Sequence, residues 1–127
     1  MKSRVFAFAA VLSVGCSRRI AGGSTDGGQV FMQACARCHG ADGVPEPGMV
    51  ARLGVKDLSS DSARRRLDDD ALRRQIAMGS PNKQMPSFER ALTDAQIDAL
   101  ITHVRTLQDA AARRQPSTEI NRKVSTK

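Results

Sequence analysis

The chain has 127 residues, enough for one domain, and its 20 Lys and Arg against 13 Asp and Glu give a formal net charge of +7. Four Phe and no Trp or Tyr leave nucleobases almost nothing to stack on, and no basic face is interleaved with aromatics, so nucleic acid is excluded as a partner. The excess charge sits at the ends: residues 27–107 hold 11 basic and 10 acidic side chains, and so few aromatics give a small core that needs a disulfide, a metal or a cofactor.

Met1-Lys2-Ser3-Arg4 is a basic start, and Val5 to Val14 is an apolar run broken only by Ser13. That run is well short of the roughly 20 helical residues that cross a bilayer, and it fits a secretory signal peptide over 1–15. It ends in Gly15-Cys16, which resembles a bacterial lipoprotein signal, although Ser13 stands where Leu is preferred. The resemblance implies export to the periplasm, with Cys16 as the candidate lipid-attachment residue and a membrane as the anchor. Residues 16–26, rich in Gly and Ser, read as a flexible tether.

Thr25 or Asp26 is placed to cap a helix from about Gly28 to Cys38, with Val30, Phe31, Ala34 and Cys35 towards one side. This helix carries Cys35-Ala36-Arg37-Cys38-His39, the C-x-x-C-H attachment signature of c-type haem. Two thiols at that spacing add to the haem vinyl groups as thioethers, and the adjacent His39 reaches the iron. A shuffled chain of this composition would contain the signature in roughly one case per thousand. Zinc would want a second Cys/His pair, but the only other His is His103. A thioredoxin-like dithiol would want a preceding strand, and a plain Cys35–Cys38 disulfide is the remaining alternative.

Residues 40–58, rich in Gly and Pro, read as irregular. Ser59 or Ser60 begins a short helix through Arg66, and Asp68 or Asp69 begins one that carries Leu72 and Ile76 and ends at Gly79. Arg64-Arg65-Arg66 and Asp68-Asp69-Asp70 then complement the poles of adjacent helices. Thr93-Asp94-Ala95-Gln96 is a capping box, opening a helix with Ile97, Leu100, Ile101, Val104 and Leu107 at helical spacing. Ala110 to Ala112 continue it briefly, and the basic tail over 109–127, broken by Pro116, reads as disordered. Nothing alternates as a strand. The prediction is an all-α domain over 27–108, about four short helices packed around one covalently bound haem.

An electron carrier commonly has a Met or His opposite the proximal His. Met85 lies between helix breakers in Gly79-Ser80-Pro81-Asn82-Lys83-Gln84-Met85-Pro86, where loop backbone can aim a thioether without helical constraint. Met49, Met78 and His103 are the alternatives, Met78 reading as a packing residue and Met32 as proximal or core.

Phe31, the C-x-x-C-H-Gly-Ala-Asp-Gly run from Cys35 to Gly43, Leu58, Leu72 to Gly79, Met85-Pro86-Ser87-Phe88 and Leu92 to Ile97 together resemble the class I cytochromes c, over about 80 residues and in the right order. The resemblance implies haem c held by Cys35 and Cys38 through two thioethers, with His39 and Met85 as axial ligands. It implies that the first and last helices cross, with His103 at a position often aromatic, and that a loop carbonyl from Pro45, Pro47 or Val55 orients His39. With both axial positions filled the chain is expected to be a monomeric electron carrier and no enzyme by itself. Its expected partners are redox proteins, steered by Arg37, Lys83 and Arg90 towards an acidic docking surface. The alternatives are a haem subunit of a larger oxidase or dehydrogenase, or a gas-binding sensor if Met85 is not a stable ligand.

Overall fold

The Asp26 carboxylate accepts a 2.8 Å hydrogen bond from the Gln29 N–H and so starts the first helix, α1, Gly27–Ala34. The structure is a computed structural model and describes residues 19–115; the signal segment, Cys16 and the tail beyond 115 lie outside them. Five further α-helices follow: α2 Ala36–His39, α3 Pro47–Leu53, α4 Asp61–Arg66, α5 Asp69–Met78 and α6 Asp94–Arg114. There is no strand among the described residues. The all-α class is as expected, but there are six helices rather than about four.

The two extra helices have identifiable causes. The single helix expected from Gly28 to Cys38 is divided at Cys35, whose φ of −117° leaves the helical range although its N–H still bonds the Phe31 carbonyl at 2.8 Å. α3 lies in the stretch expected to be irregular. Pro47 stands at its first turn, where a missing N–H costs nothing, and Gly54 ends it at a φ of +62°. With only seven residues and none of them fully buried, α3 is too short to show a helical periodicity in the sequence.

Three side chains start the later helices as expected: Ser60 for α4, Asp68 for α5 and the Thr93–Gln96 capping box for α6. The Arg64 to Arg66 run closes α4 and Asp69-Asp70 opens α5, each opposite in sign to the helix pole beside it. Arg64 pairs with Asp109, Arg73 with Asp98, and Arg105 with Asp69 at 2.7 Å, tying α4 and α5 to α6. The Arg64 hydrogen bond holds the Asp109 carboxyl below its ordinary range.

The last helix is the spine. α1 packs chiefly on α6, where a Cβ on Gly27 would run into the Ala99 carbonyl, so the crossing needs glycine for close approach. Val30, Phe31 and Leu100 are fully buried at this contact, and α5 adds Leu72 and Ile76 to the same core. Two buried glutamines act as struts. Gln96 donates to the Ile20 and Ser24 carbonyls at 3.1 and 2.9 Å, and Gln108 donates to the Leu58 carbonyl at 2.9 Å. From Ile20 the expected tether is therefore a 3-10 turn, Ile20–Gly23, docked on α6. Buried Gln108 and Ala111 likewise carry the packed domain past the boundary expected at 108.

His103 sits on α6 with its ring tilted against Phe31, centroids 5.0 Å apart, a packing role at the helix crossing. Burial lowers its pKa below the ordinary value of about 6.5, with the nearby Asp26 carboxylate opposing. The unfolded chain therefore binds this proton more readily than the folded one. The neutral ring's stabilisation is complete above about pH 6.5 and is lost as the pH falls below it. In the haem-loaded protein, His103→Phe is expected to flatten the fall of the denaturation midpoint between about pH 7 and 5. Parallel losses in both proteins would remove His103 as the cause.

Candidate haem-binding site

Cys35, Cys38 and His39, from one five-residue motif at α2, and Met85, from a loop 46 residues after His39, line one cavity of about 560 Å³. Its walls are mostly apolar, with Phe31, Leu58, Leu72, Ile76, Leu100 and Val104 shared with or packed against the core. Its exposed polar members are Lys56, Asn82 and Gln84. The alternatives to Met85 fall away from it. Met78 is 74% exposed and Met32 57% exposed, neither packed as expected, and neither they, Met49 nor His103 line the cavity.

Both thiols are free. Burial, with Cys38 adding to it, pushes the Cys35 thiol up to about 11.

His39 closes α2, and its Nδ1 lies 3.3 Å from the Lys56 carbonyl oxygen. A carbonyl only accepts, so Nδ1 carries the proton and Nε2 keeps its lone pair for a metal. The orienting carbonyl is thus that of Lys56, not Pro45, Pro47 or Val55. Any residue's backbone can supply a carbonyl, so the side chains carry no signal for which one does. Burial keeps the imidazole pKa low, against the raising effect of that bond, and favours the neutral, ligating form.

Met85 is held by its backbone. Ser80 N–H donates to the Met85 carbonyl at 3.0 Å and Met85 N–H donates to Ser80 Oγ at 2.9 Å, closing the loop on itself. The chain then returns to the end of α5, where Phe88 N–H donates to the Ile76 carbonyl at 3.1 Å and Ser87 Oγ to the Ala77 carbonyl at 2.5 Å. Gly79, at a φ of +76°, makes the turn, and a Cβ there would stand 2.5 Å from the Met85 carbonyl oxygen. One further polar side chain reaches the thioether: Gln75 Nε2 lies 3.8 Å from Met85 Sδ. Nothing in the sequence pattern singles out Gln75, which reads as an ordinary polar position of α5.

The donor set fits haem c: two free thiols at C-x-x-C spacing, a neutral imidazole with a fixed tautomer, a thioether, and an apolar cavity with polar groups at its exposed margin. Residues 23–104 match the family model described as cytochrome C oxidase, cbb3-type, subunit III. The chain belongs to this family. The cytochrome is also similar to a solved structure, KustC0563 c-type cytochrome, at 30% identity and a TM-score of 0.60, over 65% of this chain and 98% of that one. No curated protein matches it. The cytochrome c domain carries haem-based electron transfer, as the class I resemblance implied. No helix among the described residues is long and apolar enough to cross a membrane.

Proposed function

We propose that this cytochrome is a one-electron carrier outside the cytoplasm, with a single haem c bonded to Cys35 and Cys38 and axially held by His39 and Met85. The convergence of His39 and Met85 on one apolar cavity is the observation that supports it most. Bound there, the haem supplies a metal that cycles between Fe(III) and Fe(II). The chain's own residues do the rest. Lys56 holds the imidazole tautomer, the loop from Gly79 to Pro86 holds the thioether, and the apolar wall excludes water. Arg37, on α2 between the two cysteines, Lys83, in the Met85 loop, and Arg90 are all exposed, and their positive charge would steer an acidic redox partner. Export by the N-terminal segment, with Cys16 as a lipid anchor, places the carrier at a periplasmic membrane surface.

A second reading follows from the family's description: the chain serves as a haem subunit docked on a larger oxidase or dehydrogenase. Purification from its native membrane as a free monomer favours the carrier, and stoichiometric co-purification with an oxidase favours the subunit.

The test of the ligation is the visible spectrum of protein matured in a periplasm competent for c-haem attachment. The weak red charge-transfer band of an iron–thioether bond is expected in the oxidised form, with sharp α and β bands on reduction. Absence of the red band, with spectral change on adding carbon monoxide or cyanide, would replace the carrier by a gas-binding or sensing protein.

A further inference from the structure

We propose that Gln75 is a positioning residue for Met85, its side-chain amide donating to the thioether sulfur and biasing the haem iron towards the reduced state. The inference rests on Met85 being the axial ligand.

Gln75 lies one turn before the end of α5, half-buried, with its side chain on the cavity wall. Its Nε2 donates to the Gly79 carbonyl at 2.9 Å and faces Met85 Sδ at 3.8 Å. An amide NH2 has two hydrogens, and these two partners use both. The first contact determines the second. Were the amide turned over, its oxygen would lie against the Gly79 carbonyl oxygen, acceptor on acceptor, so the NH2 end is held towards the sulfur. The Gly79 carbonyl is itself constrained, because Gly79 occupies a positive-φ turn packed against the Met85 backbone. The donor is thus aimed in advance by the same loop that carries the thioether.

A thioether sulfur has two lone pairs, so it can bond iron with one and accept the amide hydrogen with the other. Accepting that hydrogen draws electron density from the sulfur and makes it a weaker donor. Oxidised iron depends more on that donation than reduced iron, and the balance shifts to Fe(II). Hydrogen bonds to ligand sulfurs are one of the means by which a protein sets a haem potential. A leucine would pack at this half-buried position as well as a glutamine does, but it would donate nothing.

The experiment is a redox titration of the haem-loaded protein, with the red iron–thioether band recorded for wild type, Gln75→Leu, Gln75→Asn and Ser87→Ala. Ser87→Ala removes a hydrogen bond that holds the return of the loop to α5 and leaves the sulfur untouched. Gln75→Leu is expected to keep the band and to raise the Fe(III)/Fe(II) ratio at fixed ambient potential by about three- to tenfold, tenfold being 59 mV for one electron. Gln75→Asn, one methylene too short to reach both partners, is expected to shift in the same direction, and Ser87→Ala by less than about twofold. A ratio for Gln75→Leu within twofold of wild type overturns the assignment. So does an equal shift in Ser87→Ala, which would trace the effect to a loosened loop. Loss of the band in both Gln75 variants would reduce the role to retaining the ligand and also overturn it. A wild-type protein without the band overturns the Met85 ligation instead, and is seen before any variant is titrated.

Discussion

Replacing Cys35 and Cys38 together with Ala is expected to yield a colourless chain that does not hold its helices at room temperature. Without the two thiols no thioether forms, and a denaturing gel stained for haem should be blank. Collapse follows from the size of the space left behind. Five side chains of the buried core, Phe31, Leu72, Ile76, Leu100 and Val104, form walls of a cavity of about 560 Å³. Left empty, a space of that size deprives these core side chains of packing partners on one face, at a cost that grows with the volume left unfilled. Domains of this size are stable by roughly 5–15 kcal/mol in all, and a core with so few aromatics sits at the low end. Far-ultraviolet circular dichroism should therefore show most of the helix lost. A colourless double variant with wild-type helix content and an unchanged denaturation midpoint would mean that the core does not depend on the cofactor.

Met85→Ala is expected to separate ligation from folding. The loop is closed by backbone contacts with Ser80 that need no side chain at position 85, and it is returned to α5 by Ser87 and Phe88. The fold should survive with the roughly 2–5 kcal/mol loss usual for truncating a buried Met, towards the lower value because Met85 is only half-buried. The sixth position of the iron is then left to water. The red iron–thioether band should vanish, carbon monoxide should bind the reduced form, and the potential should fall at least tenfold in redox ratio, about 59 mV or more. Retention of the red band would assign the thioether to another methionine. Met49 is then the first to examine, since Met32 and Met78 are largely exposed and point the search elsewhere.

Much of this was legible in the chain itself because the chemistry is local. The haem motif occupies five consecutive residues, the capping box four, and Met85-Pro86 two. The buried stripe of α6 from Ile97 to Val104 repeats with the helical period, so its face follows from its spacing. The less regular parts were misread for equally specific reasons. Pro47 and Gly48 looked like breakers, whereas a proline at a helix start is well tolerated and α3 follows. Ile20 to Gly23 looked like tether because its partner, Gln96, lies 76 residues from Ile20. Met78 looked like packing because it precedes Gly79 at the end of a helix, yet that place at the last turn of α5 leaves it in solvent.

The C-x-x-C-H motif, the helical class and the Met-Pro loop follow from residue types at short spacings, since each needs only a turn or two of backbone to be presented. Which backbone carbonyl orients His39 and which amide faces the Met85 sulfur depend on segments that meet only when the chain is folded. The Lys56 carbonyl is equivalent to every other carbonyl until the 40–58 segment is laid beside α2, and Gln75 is one more polar helix residue until Gly79 turns the loop back over it. Packing brings these groups within hydrogen-bonding distance, and at that range the choice of partner follows from position in space rather than from residue type.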